Sequence, residues 1–476
     1  MKKPHPTTSR FRAVMAAGLA FAATIGTFAA DPLKLDATAT KGTLPAGQQT
    51  VTHVRIGLTG SPQTVQEKRP PLNLALVLDR SGSMAGEKLA RAREAAQVAV
   101  RALRDDDIVS VVTYENGVQV LVPATKATAR EDICRQIASI QHGGGTALFA
   151  GVARGAEELR KFLARDRVNR VLLLSDGLAN VGPQTPGELG EFGASLIKEG
   201  ISVTTVGLGS GYNEDLMTQL AGRSDGRHAF INDSDALVTF FREEMGAMQS
   251  VVAQQLTITI SCDPGVKPLR VLGREASVVD GRVTLTLNQL FAAEQKYIIL
   301  ELQVPATAAG SARDLVHAEV TARALPGGEA FTARAGVSAR FSDNPAEVEQ
   351  SIDKKAMADA VAQIATEENV RAMLLRDRGD IEGAKKALLG NTLYLEKNAA
   401  ALGSAELSRI GSYNRVDLGN LDATDWNRAR KFMKDTQYQV QQVQGAEIDK
   451  VSGRRAALPT PGSSSAAPAP ATPAAR

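Results

Sequence analysis

Residues 72–84 read LNLALVLDRSGSM, and this stretch sets the expected fold. From Leu72 to Leu78 the run is apolar apart from Asn73, as in a strand buried on both faces. Asp79 ends it. A short polar loop follows, with Ser81 and Ser83 on either side of Gly82. From Glu87 to Arg104, Leu89, Ala92, Ala96, Ala99 and Leu103 recur every three to four residues, which predicts a helix. Strand, loop and helix make half of a βαβ unit. In open α/β sheets, ligands bind beyond the carboxyl ends of the strands. Asp79, Ser81 and Ser83 therefore sit where a ligand is expected, and three oxygen side chains at alternate positions suit a hard cation such as Mg²⁺.

Two further stretches follow the same logic. Gly143, Gly144, Gly145 and Thr146 form a glycine-rich loop ahead of a helix. Leu172 to Ser175 is a second apolar strand, delivering Asp176 and Gly177. D-x-S-x-S alone is common in serine-rich turns. Three pieces in this order, each at a strand end or loop, are far more specific. Together they resemble the von Willebrand factor type A family over roughly residues 72–247. The resemblance implies a metal-ion-dependent adhesion site made by Asp79, Ser81, Ser83, Thr146 and Asp176. It implies that Ser81, Ser83 and Thr146 hold the metal directly, while Asp79 and Asp176 act through bound waters. The implied cofactor is a divalent cation, Mg²⁺ first, with Mn²⁺ or Ca²⁺ as alternatives. The implied partner is a protein whose Asp or Glu carboxylate takes the open metal position.

The flanking chain predicts how this domain is carried. Residues 31–71 contain one half-buried strand pattern, Val54, Ile56 and Leu58 alternating with Arg55 and Gly57, then a polar connector at 61–71. Past the type A stretch (72–247), alternation returns at Leu256, Ile258, Ile260 and Cys262, and at Val283, Leu285 and Leu287. Several strands without helices predict a β-sandwich over 252–342. The lone strand near Val54 lacks a sheet of its own, so it is expected to join that sandwich. The fold class expected is therefore α/β: a doubly wound, mainly parallel sheet inserted in a β-sandwich, with a C-terminal helical region at 345–446. That region reads as a helical hairpin packed on the sandwich. The wider arrangement resembles bacterial proteins grouped with calcium-activated chloride channel regulators and inter-alpha-inhibitor heavy chains. Residues 447–476 are mostly Ala, Pro, Ser and Thr, the composition of a disordered tail.

The start of the chain carries Lys2, Lys3, Arg10 and Arg12 with no acid, followed by an Ala-rich apolar run to residue 30. This reads as a cleaved secretory signal peptide, with a membrane anchor as the less favoured alternative. Secretion or a periplasmic location follows. The formal net charge of +3 turns slightly acidic without those four residues, so no nucleic-acid partner is expected. No second long apolar run exists, so no transmembrane segment is expected in the mature chain. Cys134 and Cys262 are the two cysteines. They fit either one disulfide or two buried thiols.

Competing chemistry is poorly supported. Gly207, Gly209 and Gly211 do not have the spacing of a dinucleotide loop, and Gly143–Thr146 lacks the lysine of a phosphate loop. Ser81 as a nucleophile would need an oriented base, and nothing positions His142 for that role. His53, His142, His228 and His317 have no zinc-like spacing. No catalytic residue is expected. The sequence reads as a metal-dependent protein-binding module. The alternatives are a metal-assisted hydrolase and an envelope protein whose metal is purely structural.

Overall fold

The computed structural model describes residues 31–62 and 69–444. The expected signal peptide and tail, and the middle of the 61–71 connector, lie outside the described residues. The chain opens with β1 (Leu33–Ala39), β2 (Thr43–Pro45) and β3 (Thr50–Gly60). It then enters an alternating region: β4 (Leu72–Asp79), α1 (Glu87–Arg101), β5 (Ile108–Tyr114), β6 (Val118–Lys126), α2 (Arg130–Ala138), α3 (Leu148–Arg160), β7 (Val168–Ser175), α4 (Pro186–Lys198), β8 (Ile201–Leu208), α5 (Glu214–Arg223), β9 (His228–Ile231) and α6 (Ala236–Met248). These strands form one sheet in the order β6-β5-β4-β7-β8-β9. All neighbours are parallel except the β5–β6 hairpin.

β4 is buried along its whole length because it feeds two cores. Leu72, Leu74, Leu76 and Leu78 face α1 and α6, meeting Ala92, Ala96 and Phe241. Ala75 and Val77 face the opposite layer with Val152, Leu189 and Leu216 of α3, α4 and α5. Burying a leucine side chain stabilises by roughly 1.5–3 kcal/mol. A one-residue slip of β4 would exchange the leucine face for the smaller Ala/Val face, so packing holds the register. Gly155 lets α3 lie close to the sheet: a Cβ there would come 2.6 Å from Val77 Cγ2. That approach sets the position of the loop preceding α3.

After α6 come β10 (Val251–Cys262), β11 (Lys267–Leu272), β12 (Ser277–Val279), β13 (Arg282–Phe291), β14 (Gln295–Val304), β15 (Ala312–Ala324) and β16 (Ala330–Ser342). They make two sheets, ordered β1-β3-β14-β11 and β12-β13-β10-β15-β16-β2. Val54, Ile56 and Leu58 of β3 share a core with Ile258, Leu285 and Leu300. β3 pairs antiparallel with β14 from Thr59↔Gln295 to Thr50↔Val304. The alternating domain thus leaves the sandwich after β3 and returns to it at β10. Sequence patterning singled out β3 and not β1 or β2. β1 is mostly half-buried and β2 is three residues long, so neither carries a strong alternation. Cys134 and Cys262 are both free thiols.

The C-terminal region is α7 (Pro345–Gln350), α8 (Lys354–Asp377), α9 (Ile381–Leu402), α10 (Ala405–Asn420) and α11 (Trp426–Tyr438), ending in a π-helical turn at Gln439–Val443. Side-chain oxygens of Asp353, Asp380, Ser404 and Asp425 accept from the first turns of α8 to α11. α8 docks on the sandwich, where Arg55 Nε donates to Asp359 at 2.6 Å. α11 departs from the expected hairpin on the sandwich, because it also docks on the alternating domain. Arg430 and Lys431 pair with Glu214 at the start of α5, and Phe432 meets Phe230 edge-on at 4.7 Å. Much of that contact is charge, which apolar periodicity does not reveal. α6 starts without a side-chain cap. Asp235 precedes the first helical residue, and Asp233 accepts from the Asp235 N–H at 3.1 Å instead.

Candidate metal centre

In the central sheet the chain runs outward from β4 in both directions, to β5 on one side and β7 on the other. Such a switch point opens a crevice at the carboxyl ends of the strands. Asp79 closes β4 and Asp176 follows β7, so both acids stand at that crevice. The Gly82–Met84 segment is a tight 3-10 turn whose Met84 is fully buried, which pins the serine loop to the core.

The serine loop is stitched to the glycine loop through backbone. The Gly82 N–H donates to Gly144 O at 2.8 Å, and the Gly143 N–H to Arg80 O at 2.6 Å. Side chains hold the glycine loop from outside: Glu115 accepts from the Gly144 N–H at 2.5 Å and Asn116 from the Gly145 N–H at 2.8 Å. Asn180 accepts from the Thr146 N–H at 2.8 Å, and its own N–H returns to Thr146 O at 3.2 Å. These bonds use the Thr146 backbone. The Thr146 hydroxyl has no hydrogen-bond partner among the described residues, although the residue is 3% exposed. A Cβ placed on Gly177 would sit 3.1 Å from that hydroxyl oxygen and 3.4 Å from Ser83 Oγ. Thr146 and Ser83, far apart in sequence, therefore converge over Gly177.

The remaining oxygens cluster in the same place. Ser81 Oγ and Ser83 Oγ are 3.1 Å apart. Ser83 Oγ donates to Asp176 Oδ1 at 2.6 Å. Asp79 Oδ1 accepts from the Ser81 N–H at 2.8 Å, and Asp79 Oδ2 from Ser175 Oγ at 2.7 Å. Asp79, Ser81, Thr146 and Asp176 are buried, whereas Ser83 is exposed and marks the open side. Burial pushes the Asp79 carboxyl up to about 6, against the lowering effect of the Ser81 and Ser175 hydrogen bonds. A carboxyl raised in this way favours the fold at low pH, and that contribution is lost as pH rises through about 6. Ionised Asp79 is thus left wanting a positive neighbour.

All five sequence-derived site residues come together. Sequence reading missed the residues that hold them: Ser175 beneath Asp79, Glu115 and Asn116 under the glycine loop, and Asn180 against Thr146. Asn116 carries a turn signal with Gly117 and reads as a hairpin loop, which it also is. Lys88 was missed as well; its Nζ lies 2.5 Å from Asp176 Oδ2. His142 is exposed, and Ser81 Oγ is bonded to Ser83 rather than to an imidazole. Among the described residues no group of three or more His, Cys, Asp or Glu side chains is placed to hold a metal. The donor set here is two carboxylates and three hydroxyls. No described helix is long and apolar enough to cross a membrane.

Comparison with known proteins identifies the family of this region. Residues 73–243 match the model of the von Willebrand factor type A domain family. This region is a von Willebrand factor type A domain. The protein YfbK of Escherichia coli is 28% identical over 212 residues, which is 44% of this chain and 37% of YfbK. Inter-alpha-trypsin inhibitor heavy chain H3 of Rattus norvegicus is 30% identical over 176 residues, 35% of this chain and 20% of that protein. The chain thus spans well under half the length of these curated relatives. Structural likeness extends past the type A domain. A von Willebrand factor type A protein from Catenulispora acidiphila superposes with a TM-score of 0.67 over 87% of this chain and 97% of its own, at 17% identity. The ArnB paralog VWA2 from Sulfolobus acidocaldarius gives 0.61 over 86% and 98%, at 16% identity. At such identities these two structures speak for the shared fold alone.

Proposed function

We propose that the type A domain binds a divalent cation, Mg²⁺ in the first place, and uses it to capture a carboxylate of a partner protein. Ser81, Ser83 and Thr146 would hold the ion directly, with Asp79 and Asp176 acting through waters. The observation that carries this reading is the convergence of three hydroxyls from two loops, one of them a threonine hydroxyl without a protein partner. Neighbouring oxygens in an octahedral Mg²⁺ shell with bonds of ~2.1 Å lie about 3.0 Å apart. The 3.1 Å between Ser81 Oγ and Ser83 Oγ suits that edge.

When bound, the ion supplies a concentrated positive charge with a replaceable ligand position. The chain's part is to leave that charge incompletely neutralised. Its nearest donors are neutral hydroxyls, and Ser83 keeps one side open to a partner's Asp or Glu. Ser81 Oγ is engaged with Ser83 rather than with an imidazole, which favours binding over hydrolysis. Capture on the immobilised protein from an envelope extract tests the reading. A partner should be retained in Mg²⁺, released by EDTA, and lost when its contacting acid is changed to the amide. Retention unaltered by EDTA would leave the metal a structural role or none.

Export belongs to the same proposal, because the basic start with Lys2, Lys3, Arg10 and Arg12 runs into an Ala-rich apolar stretch of signal-peptide character. Mass spectrometry of the protein from its native cell should find an N-terminus between Ala29 and Leu33. An intact Met1 in a cytoplasmic fraction would count against export.

A further inference from the structure

Asp176 is the more exacting of the two site acids. Its side chain is fully buried, and a buried carboxylate is costly unless its charge is compensated. Two groups serve it. Ser83 donates to Oδ1, and the Lys88 ammonium stands 2.5 Å from Oδ2. Lys88 lies in the first turn of α1, directly after the serine loop, and its side chain is 38% exposed. The ammonium and one proposed metal ligand, Ser83, thus meet on the same carboxylate. The Lys88 end also lies over the strand-to-helix turn after β8: a Cβ on Gly209 would be 3.7 Å from Nζ.

From this geometry we infer that Lys88 is a resident counter-cation of the site and that metal loading is an exchange. The inference rests on the proposed metal reading of Asp79, Ser81, Ser83, Thr146 and Asp176. Without metal, the ammonium neutralises Asp176 and keeps the crevice folded. A divalent ion held on the hydroxyls beside Asp176 brings two further positive charges close to that ammonium. The two cations repel through a region of low dielectric. Lysine has a flexible four-carbon stem and a strongly hydrated head, so the ammonium withdraws to the solvent that its exposed side already meets. Asp176 then serves the metal's water shell. The empty site is thereby kept intact, and metal affinity is held below what the donors alone would give.

The consequence runs against an ordinary supporting role. If Lys88 merely propped up Asp176, removing it would weaken metal binding or leave it unchanged. If it competes, removal tightens binding. Chelator-stripped full-length protein, Lys88→Met and Lys88→Arg are titrated with Mn²⁺ by calorimetry and melted in EDTA and in Mn²⁺. Lys88→Met should bind Mn²⁺ roughly 10–100-fold more tightly, the range of a typical coupling between two sites. It should melt lower in EDTA and gain more from Mn²⁺ than the wild type. Lys88→Arg should stay near the wild-type Kd. Lys88→Gln, which keeps a polar head, should tighten binding too, and it carries the test if the methionine variant does not fold without metal. Equal or weaker binding by both neutral variants, with the wild type still binding Mn²⁺, would overturn the exchange and leave the site reading intact. Absence of Mn²⁺ binding in all four proteins would overturn both.

Discussion

Thr146→Ala is expected to weaken Mn²⁺ binding by well over ten-fold while barely moving the melting temperature in EDTA. The Thr146 backbone bonds to Asn180 survive the change, and its hydroxyl has no protein partner to lose. Nor is Thr146 the cap of α3, since Ala147 holds that position. The stability cost should therefore fall below the ~1 kcal/mol typical of a lost cap. Loss of an oxygen bound to the metal should cost more than the roughly 10–100-fold seen when only a supporting partner is removed. Calorimetric titration beside a thermal melt separates the two effects. Unchanged metal affinity would remove Thr146 from the site and undo the idea that separate loops share one ion.

Glu244→Ala is expected to be the costliest single change to stability. Glu244 is fully buried in α6, where it accepts from Arg170 at 2.8 Å, Thr204 at 2.7 Å and Arg227 at 2.9 Å. Arg170 also donates to Gln289 of β13, so the network joins β7, β8 and α6 to the sandwich. Removing one partner of a buried pair leaves the other uncompensated, at a cost of about 3–5 kcal/mol. For a domain of this size that is a drop of roughly 10 °C or more. Arg170→Met with Glu244→Met should recover part of the loss, since the fully buried Arg170 charge goes with its partner while Arg227, at the edge of the network, keeps its own. Acid should produce part of the same effect. Burial alone would raise the Glu244 carboxyl, but Arg227 and Arg170 outweigh it and hold the group below its ordinary 4.5. Its contribution is therefore complete above that value and is lost as pH falls through the lowered folded one. A Glu244→Ala melt as steeply acid-sensitive as the wild type's would assign that loss to other groups.

These two residues mark how far the sequence was legible. The five site oxygens could be read because each lies at a strand end or on a loop at the site, and three of them sit within one motif. The sheet could be read because β4 and β7 are apolar runs of strand length. Arg170 lies inside the second of those runs, yet nothing local shows that its charge is met by Glu244, with two helices and two strands between them. Lys88 follows the helical period of α1 as a surface lysine would, and only the fold brings it to Asp176. β1 escaped for the opposite reason. Its residues are half-buried and mixed in polarity, and its place depends on pairing with β3 from Leu33↔Gly60 to Ala39↔Val54. α11 reads as a helix, but its docking on α5 rests on charges whose partners lie some two hundred residues earlier.

The pairing of β3 with β14 also bears on how the chain is made. A ribosome releases Thr59 long before it releases Gln295, the residue paired with it. Through that interval β1 and β3 form at most a hairpin, and two-stranded hairpins are marginal alone. The type A domain takes all the strands of its sheet from residues between β3 and β10, so it can close while the sandwich still lacks seven of its ten strands. Domains fold as units during synthesis, and late, distant strand pairing is slow. The order of assembly is thus written into the connectivity: the type A half matures first, and the half that frames it is completed around it.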